Sequence, residues 1–463
     1  MNHTRKRRSD LSASRLLGSI VAIASVAVLL VLQGCTFFGV NRNWAREGIE
    51  LGAEDRAKSN RLSRESLEVL YRENLLELYS QDPKKAFEVL VANILRDPVK
   101  QKDPARIFAA AEFANVLAER DAPPWNRRPF IKPRGHEAVH VTDQTKIMDF
   151  LENRKEILLY YGMASYLSFS YLTLVSEHLD AEAFKPQFRS ACEIYNYSLE
   201  QSIRFHLDAA PFNPQSFYRL ENGDQAVKTR FELVGFDWGR EDFHEILMAE
   251  DFASDELGPT SQWKGLGVPL IGLRYRSPEE PDTYFPEVLA FPITALHIPQ
   301  VGFDLEATES RDVIYLVNPW NKNSVQVGNL EIPIEADLST PLDYTLNRTG
   351  FNSNQWKGFT GKDAAFKAKV FLIQPHRPGR IPIILCHGLL SSPGPWETLV
   401  NGLLDDPWIR ERYEFWFVHY PTGKGLLLNA YDVKEALETT RRELDPAGTD
   451  AALDQMVFIG HSM

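Results

Sequence analysis

Val457-Phe458-Ile459-Gly460-His461-Ser462-Met463 is the stretch on which the reading of this chain turns. Three apolar residues in succession read as a short strand, and Gly-His-Ser follows at once. A strand running into Gly-x-Ser matches the opening of the G-x-S-x-G turn, in which a serine stands on a sharp strand-to-helix bend. The chemistry explains the residue types. A hydroxyl is a poor nucleophile until a base takes its proton, so it must stand where a histidine can reach it. A small residue two before the serine lets the chain pass through the bend without clashes, and Gly460 occupies that position.

Working outward, Ile381-Pro382-Ile383-Ile384-Leu385-Cys386-His387-Gly388 is a second short apolar run, and it ends in His-Gly. Such a run is the strand before an oxyanion loop in α/β-hydrolases. Gly388 lets the backbone turn so that an amide faces a developing oxyanion, where preorganised donors are a large catalytic term. The candidate donors are the N–H groups of Leu389 and Met463.

Between the two runs, helix and strand patterns alternate. Trp396, Leu399, Val400 and Leu403 have helical spacing within Pro395–Leu404. Phe415-Trp416-Phe417-Val418-His419-Tyr420-Pro421 reads as a strand closed by proline. Ala430, Val433, Leu437 and Leu444 share one face of a helix from Leu427 to Leu444, which Asp445-Pro446-Ala447-Gly448 stops. Strands alternating with helices of this length predict a parallel sheet with covered faces.

Four segments together resemble a family of bacterial lipase/esterase-like α/β-hydrolases. They are His387-Gly388-Leu389-Leu390-Ser391-Ser392-Pro393 with Trp396, Asp406-Pro407-Trp408-Ile409-Arg410, Tyr420-Pro421-Thr422-Gly423, and Gly460-His461-Ser462-Met463. Several members look like lipoproteins with a long N-terminal extension. The resemblance is specific from Arg380 to Met463 and vague before it. It implies Ser462 as nucleophile, the Leu389 and Met463 amides as oxyanion hole, and an acid and a histidine that follow the serine in chain order. On this reading the sequence is a fragment cut at the nucleophile elbow and inactive in that form. The expected fold class is α/β, an incomplete α/β-hydrolase sheet preceded by a mostly α-helical N-terminal domain. His387 precedes the nucleophile and is read as a residue that orders the oxyanion loop. His461 and His419 are read as structural, and Cys386 as a buried inert thiol.

Composition narrows the function classes. The chain has 463 residues, enough for two or three domains, with 44% hydrophobic and 25% charged residues. A formal net charge of −12 argues against nucleic acid as a partner and against simple electrostatic docking on anionic lipid. No cofactor and no metal is called for by the serine chemistry.

Residues 1–34 read as a lipoprotein signal peptide. Arg5-Lys6-Arg7-Arg8 is a cationic lead, and Leu16 to Leu32 is an apolar core. Its most apolar run, Ile20 to Leu32, is short for a bilayer of roughly 30 Å. Leu32-Gln33-Gly34-Cys35 has lipobox form, so Cys35 is the expected lipidation site. Thr36 rather than Asp after it resembles Gram-negative lipoproteins destined for the outer membrane. Arg7-Arg8 is a poor twin-arginine signal. The remaining cysteines, Cys192 and Cys386, fall in a helical pattern and in a strand, which disfavours a disulfide.

The rest divides as 35–60 tether, 61–210 helical domain, 211–280 mixed connecting region and 281–463 N-terminal part of the hydrolase domain. Asp82-Pro83 and Asp103-Pro104 each read as an N-cap followed by a first-turn proline. Two longer helices are expected over Asp143–His178 and Ala181–Leu207, with Tyr160, Tyr161, Tyr166, Phe169 and Tyr171 as core. The acidic stretch from Glu241 to Glu256 reads as a solvated face. Gly265, Gly267 and Gly272 lack the spacing and the lysine of a phosphate loop. Ile293–Ile298, Val313–Val317 and Ala368–Ile373 are candidate opening strands of the hydrolase sheet.

The expected activity is hydrolysis of a carboxylic ester, with an ester or lipid substrate and the membrane as partner through the lipid anchor. Acyl transfer or amide hydrolysis would use the same apparatus. An alternative is a non-catalytic envelope lipoprotein that uses the hydrolase fold as a binding scaffold. A further one is a zinc protease built on His136-Glu137-Ala138-Val139-His140, with Glu156 or Glu177 as third ligand. Pro133-Arg134-Gly135 before that motif, and the strand-like alternation of Val139 and Val141, speak against a helix there.

Overall fold

The computed structural model describes residues 56–122, 155–176, 186–209, 218–222, 225–252, 261–276, 284–298, 309–348, 367–388 and 396–461. The signal peptide with Cys35, the His136–His140 motif, Leu389, Ser462 and Met463 lie outside these residues.

The N-terminal region is helical. Its elements are α1 (Arg64–Arg72), α2 (Leu76–Gln81), α3 (Pro83–Arg96), α4 (Pro104–Asp121), α5 (Lys155–Val175) and α6 (Pro186–Ala209). The two Asp-Pro starts behave as their chemistry dictates. Asp82 accepts from the Lys85 amide, and Asp103 accepts from the Ala105 and Arg106 amides. Among the described residues no helix is long and apolar enough to cross a membrane.

Helix α4 is buried on every side from Ile107 to Ala118, and its alanines 109, 110, 111, 114 and 118 let neighbours approach closely. Phe108 meets Tyr171 at 5.4 Å, and Tyr161 donates to Glu119 at 2.6 Å, so α4 and α5 run antiparallel. Phe169 faces Tyr195 and Tyr161 faces Phe205, so α6 runs antiparallel to α5. Tyr160, Tyr161, Phe169 and Tyr171 are buried, while Tyr166 is partly so. Each large apolar side chain taken from water here contributes roughly 1.5–3 kcal/mol. The fully buried Glu112 carboxylate accepts the Ser63 amide at 3.0 Å and its hydroxyl at 2.6 Å, which ties the start of α1 to α4.

Next comes a sheet. Its strands are β1 (Tyr218–Asn222), β2 (Gln225–Val234), β3 (Glu245–Met248), β5 (Val268–Tyr275), β6 (Val288–Leu296) and β7 (Glu309–Val317), with the small β4 (Gln262–Trp263) before β5. The order is β1-β2-β7-β6-β5-β3, and only the β2–β7 pair is parallel. Pro292 stands inside β6. It stands opposite Ile271 of β5, and β6 pairs with β7 only from Thr294 onward. Gly267, at φ +109, enters β5 where a Cβ would come within 2.5 Å of Leu296 Cδ2, so only glycine fits.

This sheet corrects two expectations. The runs Ile293–Ile298 and Val313–Val317 belong to β6 and β7, not to the sheet that carries Ile381–Cys386. The division at residue 280 therefore falls inside one sheet. The acidic stretch is also more than a solvated face. Ile246, Met248, Ala249 and Phe252 are buried, Asp242 pairs with Arg274 at 2.7 Å, and Asp251 pairs with Arg204 at 2.7 Å. Charges dominated the sequence pattern, but the alternating apolar residues between them form β3.

The helical layer packs on this sheet. Tyr195 on α6 donates its hydroxyl to the His297 carbonyl and accepts the His297 amide, both at 3.0 Å. Asn196 bridges the Gly265 carbonyl and the Gly267 amide, both at 2.8 Å. The hairpin β8 (Ser324–Val327) and β9 (Leu330–Pro333) follows, then β10 (Ala336–Asp337), which pairs with β4, and the short helix α7 (Ser339–Asp343).

The last unit is a four-stranded sheet built from β11 (Lys369–Leu372), β12 (Ile381–Cys386), β13 (Tyr413–His419) and β14 (Val457–Gly460), in the order β11-β13-β12-β14. β12 is parallel to both its neighbours, and β11 is antiparallel to β13. Helices α8 (Glu397–Leu404) and α9 (Pro407–Arg412) connect β12 to β13, and α10 (Leu426–Leu444) connects β13 to β14. Trp416, Phe415, Phe417, Ile384 and Leu385 are buried, the near-continuous apolar runs of a parallel sheet covered on both faces. β14 is different. It lies at the sheet edge, with Val457 42% and Phe458 61% exposed. Only β12 pairs with it among the described residues.

At the opposite, amino-terminal end of these strands, His376 lies between two carboxylates. Nδ1 stands 2.8 Å from Glu414 Oε1, and Nε2 stands 3.3 Å from Asp450 Oδ2. Glu414 also accepts from Trp416 Nε1 at 2.7 Å. This clamp joins the β11–β12 loop, the start of β13 and the turn before β14.

Candidate active site

The site is defined by where three strands end. β12, β13 and β14 are parallel, so their carboxyl ends share one edge of the sheet. The chain moves from β12 to the neighbour on one side, then crosses to the neighbour on the other. In open α/β sheets the crevice at such a reversal, outside the carboxyl ends, is where ligands bind. Here it lies between β12 and β14.

The register sets what meets there. Cys386 is paired with Gly460, and the His461 amide donates to the Cys386 carbonyl at 3.0 Å. The two chain segments leaving the sheet, His387-Gly388 and His461, thus start side by side. The sequence reading assigns one candidate oxyanion donor to each of these two segments. Trp396, at the start of α8, turns its ring edge toward the His461 imidazole at 6.2 Å. Leu389, Ser462 and Met463 lie outside the described residues. Gly460 has no atom within 4 Å of where a Cβ would be, so nothing described here requires glycine at that position.

His387 is the best-held residue of the group. It is buried, and its ring stacks on Tyr420 at 4.4 Å with 15° between planes. Its Nδ1 stands 3.1 Å from the Gly388 carbonyl oxygen, and the Tyr420 amide donates to Nε2 at 3.4 Å. The Tyr420 hydroxyl donates to the His387 carbonyl. A carbonyl only accepts, so Nδ1 carries the proton, and Nε2, which receives an N–H, does not. Burial pushes the imidazole below its ordinary range and keeps it neutral.

The surroundings are poor in charge. His419, 5.7 Å from His387, is pushed down to about 4, first of all by burial. Burial pushes the Cys386 thiol and the Tyr420 phenol up, so both stay protonated. Cys192 and Cys386 are free thiols. Among the described residues no group of three His, Cys, Asp or Glu side chains is arranged to hold a metal ion.

Tyr420 enters the sequence reading as the end of an apolar run and as part of a resemblance, not as a site residue. Its place follows from the strand order, since it directly follows β13, next to β12. The turn after it is held by Asn429 of α10, whose amide donates to the Pro421 carbonyl at 2.9 Å and the Lys424 carbonyl at 3.2 Å. A neutral, low-dielectric floor with two adjacent backbone segments suits stabilisation of a transient oxyanion better than binding of a stable charge. Comparison with family models, with curated proteins and with solved structures finds no match for this chain.

Proposed function

We propose that this chain carries the nucleophile and the oxyanion amides of a serine ester hydrolase of the α/β-hydrolase type, tethered to the cell envelope through Cys35. The observation that supports the reading most is the parallel β12–β14 pair. Its Cys386–Gly460 register starts the His387-Gly388 and Gly460-His461-Ser462 segments at the same sheet edge.

In this reading Ser462 Oγ attacks the carbonyl carbon of a carboxylic ester. Its proton passes to the base of the triad, a histidine oriented by an Asp or Glu. The carbonyl oxygen becomes an oxyanion between the Leu389 and Met463 amides. Collapse breaks the bond to the alcohol, which leaves with the proton from the histidine. Water then attacks the acyl-serine by the same route and releases the acid. His387 is not the base. It is buried, and Tyr420 occupies its Nε2.

The test is active-site labelling of the full-length gene product with a fluorophosphonate. One label on Ser462, lost in Ser462→Ala, is expected. A folded protein that takes no label would instead favour the binding-scaffold reading.

A further inference from the structure

We propose that Tyr420 is a positioning residue for the oxyanion loop, acting through His387 on the peptide unit between Gly388 and Leu389. The inference rests on the serine hydrolase reading above.

One residue meets His387 in three ways. Its ring stacks on the imidazole at 4.4 Å, its amide donates to Nε2 at 3.4 Å, and its hydroxyl donates to the His387 carbonyl. The stack fixes the plane of the imidazole. The amide contact fixes the tautomer, because a nitrogen that accepts an N–H bears no proton. The proton therefore sits on Nδ1, which stands 3.1 Å from the Gly388 oxygen and donates to it.

That carbonyl belongs to the planar unit whose other end is the amide of residue 389. A planar trans peptide holds its C=O and N–H antiparallel, so fixing the oxygen fixes the direction of the N–H. The amide at that end is the one assigned to the oxyanion. Tyr420 also fixes the preceding unit through the His387 carbonyl. Tyr420, which directly follows β13 and touches no reacting atom, thus holds the His387 carbonyl and, through the imidazole, the Gly388 carbonyl. His419 and Phe371 fill the far side of the cluster, leaving the imidazole little freedom to tilt.

The experiment compares full-length wild type, Tyr420→Phe and Tyr420→Leu. Reactive sites are counted by fluorophosphonate titration, and p-nitrophenyl ester turnover is expressed per titrated site. Tyr420→Phe keeps the stack and the amide but loses the hydroxyl bond. A fall of about 10-fold in kcat per site is expected, with KM within about twofold. Tyr420→Leu also loses the stack, and about 100-fold is expected. Both are smaller than or comparable to loss of an oxyanion donor, about 10²–10³-fold. If the variants fold and keep wild-type kcat per site, Tyr420 does not position the loop. If they only reduce the number of titratable sites, its role is structural, and the proposal is overturned. If wild type itself takes no label, the hydrolase reading fails first and the inference falls with it.

Discussion

Arg204 near the end of α6 grips Asp251 with a single guanidinium nitrogen, 2.7 Å from Oδ1 and 2.9 Å from Oδ2. The same guanidinium reaches Glu200 one turn earlier at 2.9 Å, and Glu250 at 3.7 Å. Three carboxylates share one cation where the helical layer meets the edge of the six-stranded sheet. Burial first, then the Glu250 charge, push the Glu200 carboxyl up to about 7 against the pull of Arg204.

That joint makes stability depend on pH. The folded chain holds the Glu200 proton to a higher pH than the unfolded chain, whose value is near 4.5. The contribution is complete below about 4.5 and is lost as pH rises through about 7. Urea unfolding should show stability falling between pH 5 and pH 8, and Glu200→Gln should flatten the fall. A wild-type profile that rises over this window would contradict the assignment.

A second pH effect comes from His376 and lies higher. Burial opposes its charge, but the Glu414 bond and then the Asp450 charge outweigh burial and raise it above its ordinary 6.5. The stabilisation is complete below 6.5 and is lost as pH rises through the folded value. Replacing His376 with Ala should cost about 2 kcal/mol at pH 6, typical of a bond to a charged group, and less at pH 9. Proton NMR should find the native imidazole titrating above its ordinary 6.5.

The turn between α8 and α9 is fastened to the middle of the molecule. Asp405 Oδ1 accepts from Trp263 Nε1 at 2.8 Å and from Ser261 Oγ at 2.9 Å, and the Arg410 guanidinium lies 4.5 Å from the Trp263 ring. Asp405 is solvent-exposed, so Asp405→Ala should cost only about 1 kcal/mol globally. Its local effect should be larger, seen as faster amide exchange in α8.

Phe458 gives a prediction about solution behaviour. An edge strand with large apolar side chains in water is a template for further pairing. Phe458→Lys should lower light scattering from concentrated solutions of the 463-residue chain without changing its far-UV circular dichroism.

What was legible in the sequence was what is local. The Asp-Pro helix starts at 82 and 103 were readable because a cap is a bond over three residues. The β12 and β13 runs were readable because parallel strands are apolar throughout. The membership of Ile293 and Val313 in a separate sheet was not, because strand pairing joins residues far apart and leaves no mark on either. Tyr420 was missed as a site residue for the same reason. Its partner, His387, is 33 positions away on another strand. The acid-rich approach to β3 misled because ion pairs and solvated charges look alike until the arginines facing them are known.

The strand order of the six-stranded sheet has a consequence for how the chain is made. β7 sits between a β1–β2 hairpin already complete and a β6-β5-β3 half also complete, and it joins them by pairing with both. It is also the last of the six to be synthesised. Until it arrives, each half has an open inner edge. At about 5–20 residues per second, the hairpin waits on the order of several seconds for its partner. During that interval the nascent chain is most exposed to misassembly with a neighbour, and a chaperone would do the most good.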